Sequence, residues 1–490
     1  MKYSIIYVMI LIGGITLISS CGKGFLDVEP TNAINASESV KTAADARVVV
    51  NGIMRNMTNV NYYGRNFLMY GDAKGGDLIL YSQGRGLDAL YTFNHTESSN
   101  NYSTFWSTIY NNILQANSLI FNIEKLKAAG STESFDSFLG QALTARALMY
   151  FDLVRIYGKP YTDNKNSYGV PNILVPIEAT AQPLRATVEE NYTQILKDLT
   201  EAAPLLGKTK SGGYFNYYGN KAIQARVYLT MGNYTAALAA AEDVIVNGGY
   251  ALYTPAAWVA SWRAQFGSES IFELGVFPNE SDLVTASPGF YLRRRAHGNS
   301  NVLGWFGASD YFLNRLKQDP NDVRWGVMLA DEISTTANPR LGSCYKYSGS
   351  TTLQGDGKSS TTAVNIKVIR LSEIYLIAAE AAYPTDKTKA ATYLNAIRNR
   401  APGLAAATAA TITEDMILDE RSKELFAEGH RYFDMLRLNR SITFNDEILG
   451  LTIPTRPKTI DRSFEKAILP IPIGEINANP GIEKQQNPGY

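Results

Sequence analysis

Glu420, Glu424 and Glu428 recur at i, i+4 and i+8, with His430 close behind. On one helix face, that spacing stacks three carboxylates, an arrangement suited to acid–base work or a metal. The same stretch carries Arg421, Lys423, Arg431, Asp434 and Arg437, which can close i,i+3 and i,i+4 ion pairs. The balance of charge favours a salt-bridge network. Asp72 and Asp77 form the second carboxylate pair of interest. Glycoside cleavage needs two acids whose separation is set in space rather than in sequence, and the residue types fit sugar binding equally well. Gly355-Asp356-Gly357-Lys358-Ser359 imitates the end of a phosphate loop, but Thr352 stands where the first glycine is required, so the segment reads as a polar loop. The three histidines, His95, His297 and His430, show no zinc spacing, and no G-x-S-x-G elbow occurs.

Cys21 offers a different chemistry. An apolar run from Ile5 to Ile18 follows Met1-Lys2 and leads into Ser19-Ser20-Cys21. At ~1.5 Å per helical residue the run is too short for a comfortable membrane span, and it reads as an export signal. Ile18-Ser19-Ser20-Cys21 looks like a bacterial lipobox, in which residues 1–20 are removed and the Cys21 thiol is diacylated. Leucine stands at position 17 rather than 18. Two or more acyl chains hold a protein stably at a membrane, each buried CH₂ contributing ~0.8 kcal/mol.

The chain has 490 residues, 46 basic and 46 acidic, so no basic excess points to nucleic acid. If Cys21 carries lipid, Cys344 has no disulfide partner and reads as a small buried apolar residue. Tyrosine is abundant, 30 against 19 Phe and 5 Trp, which suits core edges and half-wet contact surfaces.

The elements that must position these groups are mostly helices. Residues 21–36 read as a polar tether with Phe25, Leu26 and Val28 as docking points. Helical patterns cover about Ser37–Met57, Trp106–Leu126, Leu139–Tyr157 and Thr187–Leu199. Residues 59–104, rich in Gly, Asn and Tyr, read as long loops. Ala222, Ala225 and Leu229, then Gly232-Asn233, then Ala237, Ala241 and Val244 predict a tight helical hairpin, similar to part of the tetratricopeptide pattern. Arg370–Ala382 with Lys387–Arg400 predicts a second. Residues 250–368 form a mostly irregular insertion between them, with a Ser/Thr/Gly run from Ser348 to Thr362. A last helix is expected from a capping box at Thr411 and Glu414 to about Arg437. The chain therefore divides into a helical part over 37–249, the insertion over 250–368, and a helical part with a turn-rich tail over 369–490.

Several motifs, in order, resemble the SusD/RagB family of Bacteroidetes surface lipoproteins. They are Cys21-Gly22-Lys23-Gly24-Phe25-Leu26-Asp27-Val28-Glu29-Pro30 and Ala145-Arg146-Ala147 through Asp152 to Gly158. Arg370-Leu371-Ser372-Glu373-Ile374-Tyr375-Leu376, Asn395 to Ala401 and Glu420-Arg421 to Phe433-Asp434 follow. Leu469-Pro470-Ile471-Pro472 to Asn487-Pro488-Gly489-Tyr490 matches the tail. The resemblance implies a mainly α fold, a tetratricopeptide-like superhelix with a large loop-rich insertion. It also implies a non-enzymatic protein on the outer face of the outer membrane. Such a protein captures oligosaccharides, or in RagB-like members peptides, and serves as a hinged lid over a SusC-like TonB-dependent transporter. No cofactor is implied beyond the lipid on Cys21, and bound calcium is left open.

The resemblance places the ligand site on residues 60–104 and about 285–326. The first segment offers Tyr62, Tyr63, Asp72, Asp77, Arg85, Tyr91, Phe93 and Asn94. The family's paired tryptophans have no counterpart there, and Tyr91 and Phe93 fall nearest. The second offers Tyr291, Arg294, Trp305, Tyr311 and Trp325. Trp305, framed by Gly304 and Gly307, fits a sugar platform or a core position. The run Arg293-Arg294-Arg295 fits a solvated loop or partner contact, and also a carboxylate-bearing ligand. Two other functions stay open: a secreted glycoside hydrolase, and a repeat scaffold for protein partners.

Overall fold

The computed structural model describes residues 40–83, 87–98, 100–178, 180–277, 286–297, 300–347 and 364–490. Cys21, Arg85 and the Ser348–Thr362 run lie outside them. Helices in the N-terminal part are α1 (Ala43–Met57), α2 (Asn66–Ala73), α3 (Asp88–Thr92), α4 (Asn100–Ala128), α5 (Asp136–Tyr157), α6 (Tyr161–Asn164), α7 (Val188–Ala202), α8 (Tyr217–Thr230) and α9 (Tyr234–Asn247). The insertion adds α10 (Pro255–Ser261), α11 (Pro288–Leu292) and α12 (Asp310–Leu316). The C-terminal part carries α13 (Leu371–Ala382), α14 (Lys387–Arg398), α15 (Glu414–Glu424), α16 (Arg431–Arg437) and α17 (Ile473–Ala478). Among the described residues, short strands are β1 (Leu78–Leu80), β2 (Ser270–Leu274), β3 (Phe306–Ala308), β4 (Met328–Leu329), β5 (Ser343–Cys344), β6 (Ile366–Arg370), β7 (Ile442–Thr443) and β8 (Thr459–Ile460), paired in antiparallel twos.

The helices stack as neighbouring antiparallel pairs, the expected tetratricopeptide-like scaffold. α4 packs on α5, α5 on α7, α8 on α9, α9 on α13 and α13 on α14. The two hairpins predicted from sequence are therefore adjacent in space, although the insertion separates them along the chain. Small residues make this close packing possible: Ala222, Ala225, Ala237 and Ala241 are wholly buried. α5 is the central rod. From Leu139 to Tyr157 every side chain but Arg155 is buried, as a helix surrounded by others requires. Its central charged groups are paired within the core. Arg146 grips Asp198 of α7 at 2.7 and 2.8 Å, and Asp152 accepts from the hydroxyls of Tyr62 and Tyr63 at 2.5 and 2.8 Å.

Helix starts follow capping chemistry. Thr187 caps α7 and closes a capping box with Glu190. The box expected at Thr411 is displaced: Thr413 is the N-cap of α15, accepting from the Met416 amide at 3.1 Å. The single last helix is also corrected, because α15 ends at Glu424 and α16 begins at Arg431. Ala427 and Gly429 take left-handed φ values of 66° and 85° in the break. There Gly429 meets Gly71 of α2 so closely that a Cβ on Gly71 would lie 2.1 Å from the Gly429 carbonyl oxygen.

Glu420, Glu424 and Glu428 do not form a catalytic face. All three are buried in an ionic cluster. Glu424 contacts Arg400, Arg370 at 3.0 Å and Arg324 at 3.7 Å. Glu428 holds Arg370 at 2.7 Å and Lys346 at 2.8 Å, and Glu420 holds Arg324 at 2.6 Å and Lys423 at 3.0 Å. Burial alone would raise the Glu424 carboxyl, but the three arginines hold it well below its ordinary range. His430 sits 3.9 Å from Glu373. Cys344 is buried in β5, opposite Met328 of β4.

Candidate functional site

The two loop segments expected to form a site are brought together by one ladder. β1 pairs with β3 in the register Leu78–Ala308, Ile79–Gly307 and Leu80–Phe306. Backbone bonds extend it at both ends: Ser309 N–H to the Asp77 carbonyl at 2.8 Å, and Tyr81 N–H to the Trp305 carbonyl at 2.7 Å. Trp305 thus emerges at the end of a fixed strand. Just before it, the amides of Leu303 and Gly304 both donate to the Phe290 carbonyl, at 2.9 and 3.2 Å. That fold-back sets Tyr291 of α11 beside Trp305, rings T-shaped with centroids 5.1 Å apart. Gly304 has a φ of 56°, and any Cβ there would fall 2.6 Å from the Arg295 nitrogen, so the turn admits glycine alone.

Arg65, just ahead of α2, donates to the Tyr291 hydroxyl at 2.7 Å. Trp305 stays half-buried, and Arg294 and Arg295 are exposed. The Arg295 amide donates to Glu332. This corner offers the half-buried Trp305 ring with the exposed Arg294 and Arg295 and the Glu332 carboxylate, while Tyr291 is 8 % exposed and carries the Arg65 guanidinium over its ring. Such groups can stack on the C–H face of a sugar ring while bonding its hydroxyls.

Other expected residues sit elsewhere. Asp72 is sealed inside α2, 1 % exposed, accepting from the Gly429 amide at 2.6 Å, and burial raises its carboxyl well above the usual range. Asp77 is 2 % exposed. Burial pushes its carboxyl up, but Arg315, Arg431 and the Ser422 hydroxyl outweigh this and hold it below its ordinary value. Ser422 donates to Asp77 at 2.6 Å. These acids therefore bind protein partners and cannot flank a glycosidic bond. Tyr91 and Phe93 are wholly buried as well. Tyr91 donates to Asp446 at 2.8 Å, while Arg456 donates to the Tyr91 carbonyl at 2.9 Å. Phe93 packs against Tyr432, Phe444 and Phe464. The C-terminal segment covers both rings, so neither is a sugar platform. Tyr62 and Tyr63 are core residues. Asn94 is exposed. Arg293 is buried, so only two members of the arginine run face solvent. The segment 60–104, expected as long loops, contains α2, β1 and α3.

Sequence reasoning missed Arg65 and Glu332. No local pattern marks either, because their partners lie far along the chain. Among the described residues, no group of three or more His, Cys, Asp or Glu side chains could hold a metal ion. None of their helices is long and apolar enough to cross a membrane.

The family model described as the SusD family matches residues 225–490. The chain belongs to the SusD family. A second model, described as "Starch-binding associating with outer membrane", matches residues 24–229. SusD-like protein P38 of Formosa agariphila is 26% identical over 486 residues, covering 89% of this chain and 92% of the relative. A solved SusD superfamily protein from Bacteroides thetaiotaomicron is 34% identical with a TM-score of 0.81, covering 91% of this chain and 100% of the other. Another, from Bacteroides vulgatus, is 32% identical with a TM-score of 0.80, covering 92% and 100%. The SusD family match extends across the ionic cluster of α15 and the second hairpin, and the starch-binding model covers the α5 rod.

Proposed function

We propose that this SusD-family protein is a lipid-anchored glycan-binding protein on the outer face of the outer membrane. It captures oligosaccharide without turnover and covers a SusC-like TonB-dependent transporter as a hinged lid. The observation that carries this reading is the surface corner of Tyr291 and Trp305, clamped by the β1–β3 ladder and by Arg65. A half-buried indole held in place by the buried Tyr291 ring and flanked by polar groups suits a sugar, because little ordering remains to be done on binding. The starch-binding description of the model over the N-terminal part supports the ligand class, and the lipobox-like Cys21 supports the anchor. Burial of Asp72 and Asp77 removes the carboxylate pair that a hydrolase reading would have used.

Exposed Arg294 and Arg295 favour a second reading, a peptide or an acidic sugar whose carboxylate they would meet. Glycan and peptide arrays probed with a soluble form lacking residues 1–21 separate these readings. Glycan binding without product release is expected. Turnover would make the protein an enzyme, and silence on both arrays would leave a scaffold for protein partners. Detergent-solubilised outer membranes should yield the protein together with a TonB-dependent barrel, and its purification alone would remove the lid from the proposal.

A further inference from the structure

A groove of about 870 Å³ opens between α12 and the loop that follows β4. Its volume is in the range that holds ligands of several rings. Asn314 and Lys317 stand on one wall, three residues apart on the same helix face. Asn338 and Arg340 come from the facing loop, and Asp310 lies at the start of α12. Trp325 lines the groove as a half-buried ring. Its indole N–H donates to the Asp319 carbonyl at 3.2 Å, so the polar tip is already committed and the ring is held in place.

The walls are built rather than incidental. Arg340 bonds Asp331, Asp310 at 3.1 Å and the Ala308 carbonyl at 2.5 Å, fixing the loop to the end of β3. Arg324, next to Trp325, is buried between Asp322 and Glu420, each at 2.6 Å. By contrast, among the described residues no hydrogen bond or ion pair holds the exposed side chains of Asn314 and Lys317. The ring, two amides and a cation stand among apolar Leu313, Ile333, Leu341 and Ile448, a mixed lining that can meet both the C–H faces and the hydroxyls of a sugar chain.

We propose that this groove is a second sugar subsite, taking the continuation of the oligosaccharide held at the Tyr291–Trp305 corner. The inference rests on the glycan-binding reading and extends it. The two places are joined by a short run of chain: Trp305 and Asp310 are five residues apart, so their Cα atoms lie within about 17 Å even if extended. A short oligosaccharide fills the corner alone, and a longer one reaches the groove. Affinity therefore climbs with chain length, and the groove residues set that gain.

Calorimetric titration of the soluble protein with size-graded glucan, xylan, mannan and polyuronate oligosaccharides tests this. For the series that binds, the wild type should prefer long chains over short ones by about ten-fold, the return from one more stacked ring with its hydrogen bonds. Trp325→Ala should collapse that ratio toward one. The double variant Asn314→Ala/Lys317→Ala changes only exposed side chains and should reduce the ratio in a protein whose melting temperature is unchanged. A ratio preserved in both variants, or no length dependence in the wild type, overturns the subsite while leaving the corner standing. Failure of the wild type to bind any glycan overturns the proposed function and the subsite with it.

Discussion

Arg65 and Tyr291 lie 226 positions apart in sequence, yet the guanidinium donates to the phenol oxygen at 2.7 Å and sits 4.9 Å from the ring centroid. The bond ties the start of α2 to α11, and thereby the first helical region to the insertion. It also sets the tilt of the ring that meets Trp305 edge to face. Trp305→Ala should therefore weaken glycan binding by about ten-fold or more, since a lost stacking face is worth roughly 1 kcal/mol beyond its buried area. Tyr291→Phe keeps the ring and removes the acceptor, so a smaller loss is expected. Titration of both variants against one bound glycan checks the order; equal affinity in all three proteins would move the site away from this corner.

Asp77→Ala should act on stability. The carboxylate compensates Arg315 and Arg431 and accepts from Ser422 inside the protein. Removing it leaves the mostly buried Arg431 without this counter-charge and Arg315 with only Asp419 at 3.8 Å, at a cost of about 3 kcal/mol. Urea denaturation should show the loss, while the folded fraction binds glycan with wild-type affinity. An affinity loss at unchanged stability would return Asp77 to the ligand.

Lys74 is wholly buried, and its amine lies 3.1 Å from His95 Nε2 and 3.3 Å from the centroid of Phe93. Burial pushes the amine well below its ordinary value, and the charge of Arg456 adds to the effect. No carboxylate among the described residues forms an ion pair with it. Lys74→Met keeps the length and removes the polar head, so its melting temperature should equal or exceed that of the wild type. Scanning calorimetry decides; a fall of several degrees would show that the bond to His95 outweighs the cost of burying the amine.

Acid should weaken the fold in two stages. Burial lowers His430 from 6.5 to about 4, against the pull of Glu373 and with the help of Arg226 and Arg421. Between those values the unfolded chain takes up a proton that the native state refuses, so stability falls as pH falls through that window. Glu373 continues the trend. Burial raises its carboxyl, but Arg226 outweighs this and holds it at about 2 against 4.5, so its contribution is complete above 4.5 and fades as pH falls toward 2. His430→Gln should flatten the first stage and spare the second. Urea midpoints across the pH range measure both, and an unchanged slope between pH 6.5 and 4 would assign that stage to other groups.

Cys21→Ala should free the protein from membranes while leaving glycan affinity intact, because the proposed anchor would act through local concentration. Fractionation and growth on the glycan as sole carbon source check this. Retention in the membrane fraction would point to attachment through the partner alone.

Much of the scaffold was legible because its signals are local. The helical spacing over Thr187–Leu199 is local, and the alanines around Gly232 mark a hairpin. The candidate site was less so. The two segments were located, and Tyr291 and Trp305 do meet. Asp72, Asp77, Tyr91 and Phe93 looked like loop groups because their neighbours are Gly, Asn and Tyr. Their partners (Gly429, Ser422, Asp446, Phe444) come from the far end of the chain, and nothing local announces that cover. The break at Gly429 was missed for a related reason. Charged residues continue helical spacing through it, and the glycine's role depends on Gly71 arriving from α2.

The arginines that converge on Glu424 come from three places: Arg324 in the insertion, Arg370 on β6 and Arg400 beyond α14. A cross-brace of that kind resists shear between the parts it joins, because sliding any one of them would strand charge in a dry interior. Through Arg324, the stretch that carries Trp325 is thus bolted to the helical frame. In the lid role proposed above, a swing over a barrel would carry the braced parts together, with leverage applied at the rim.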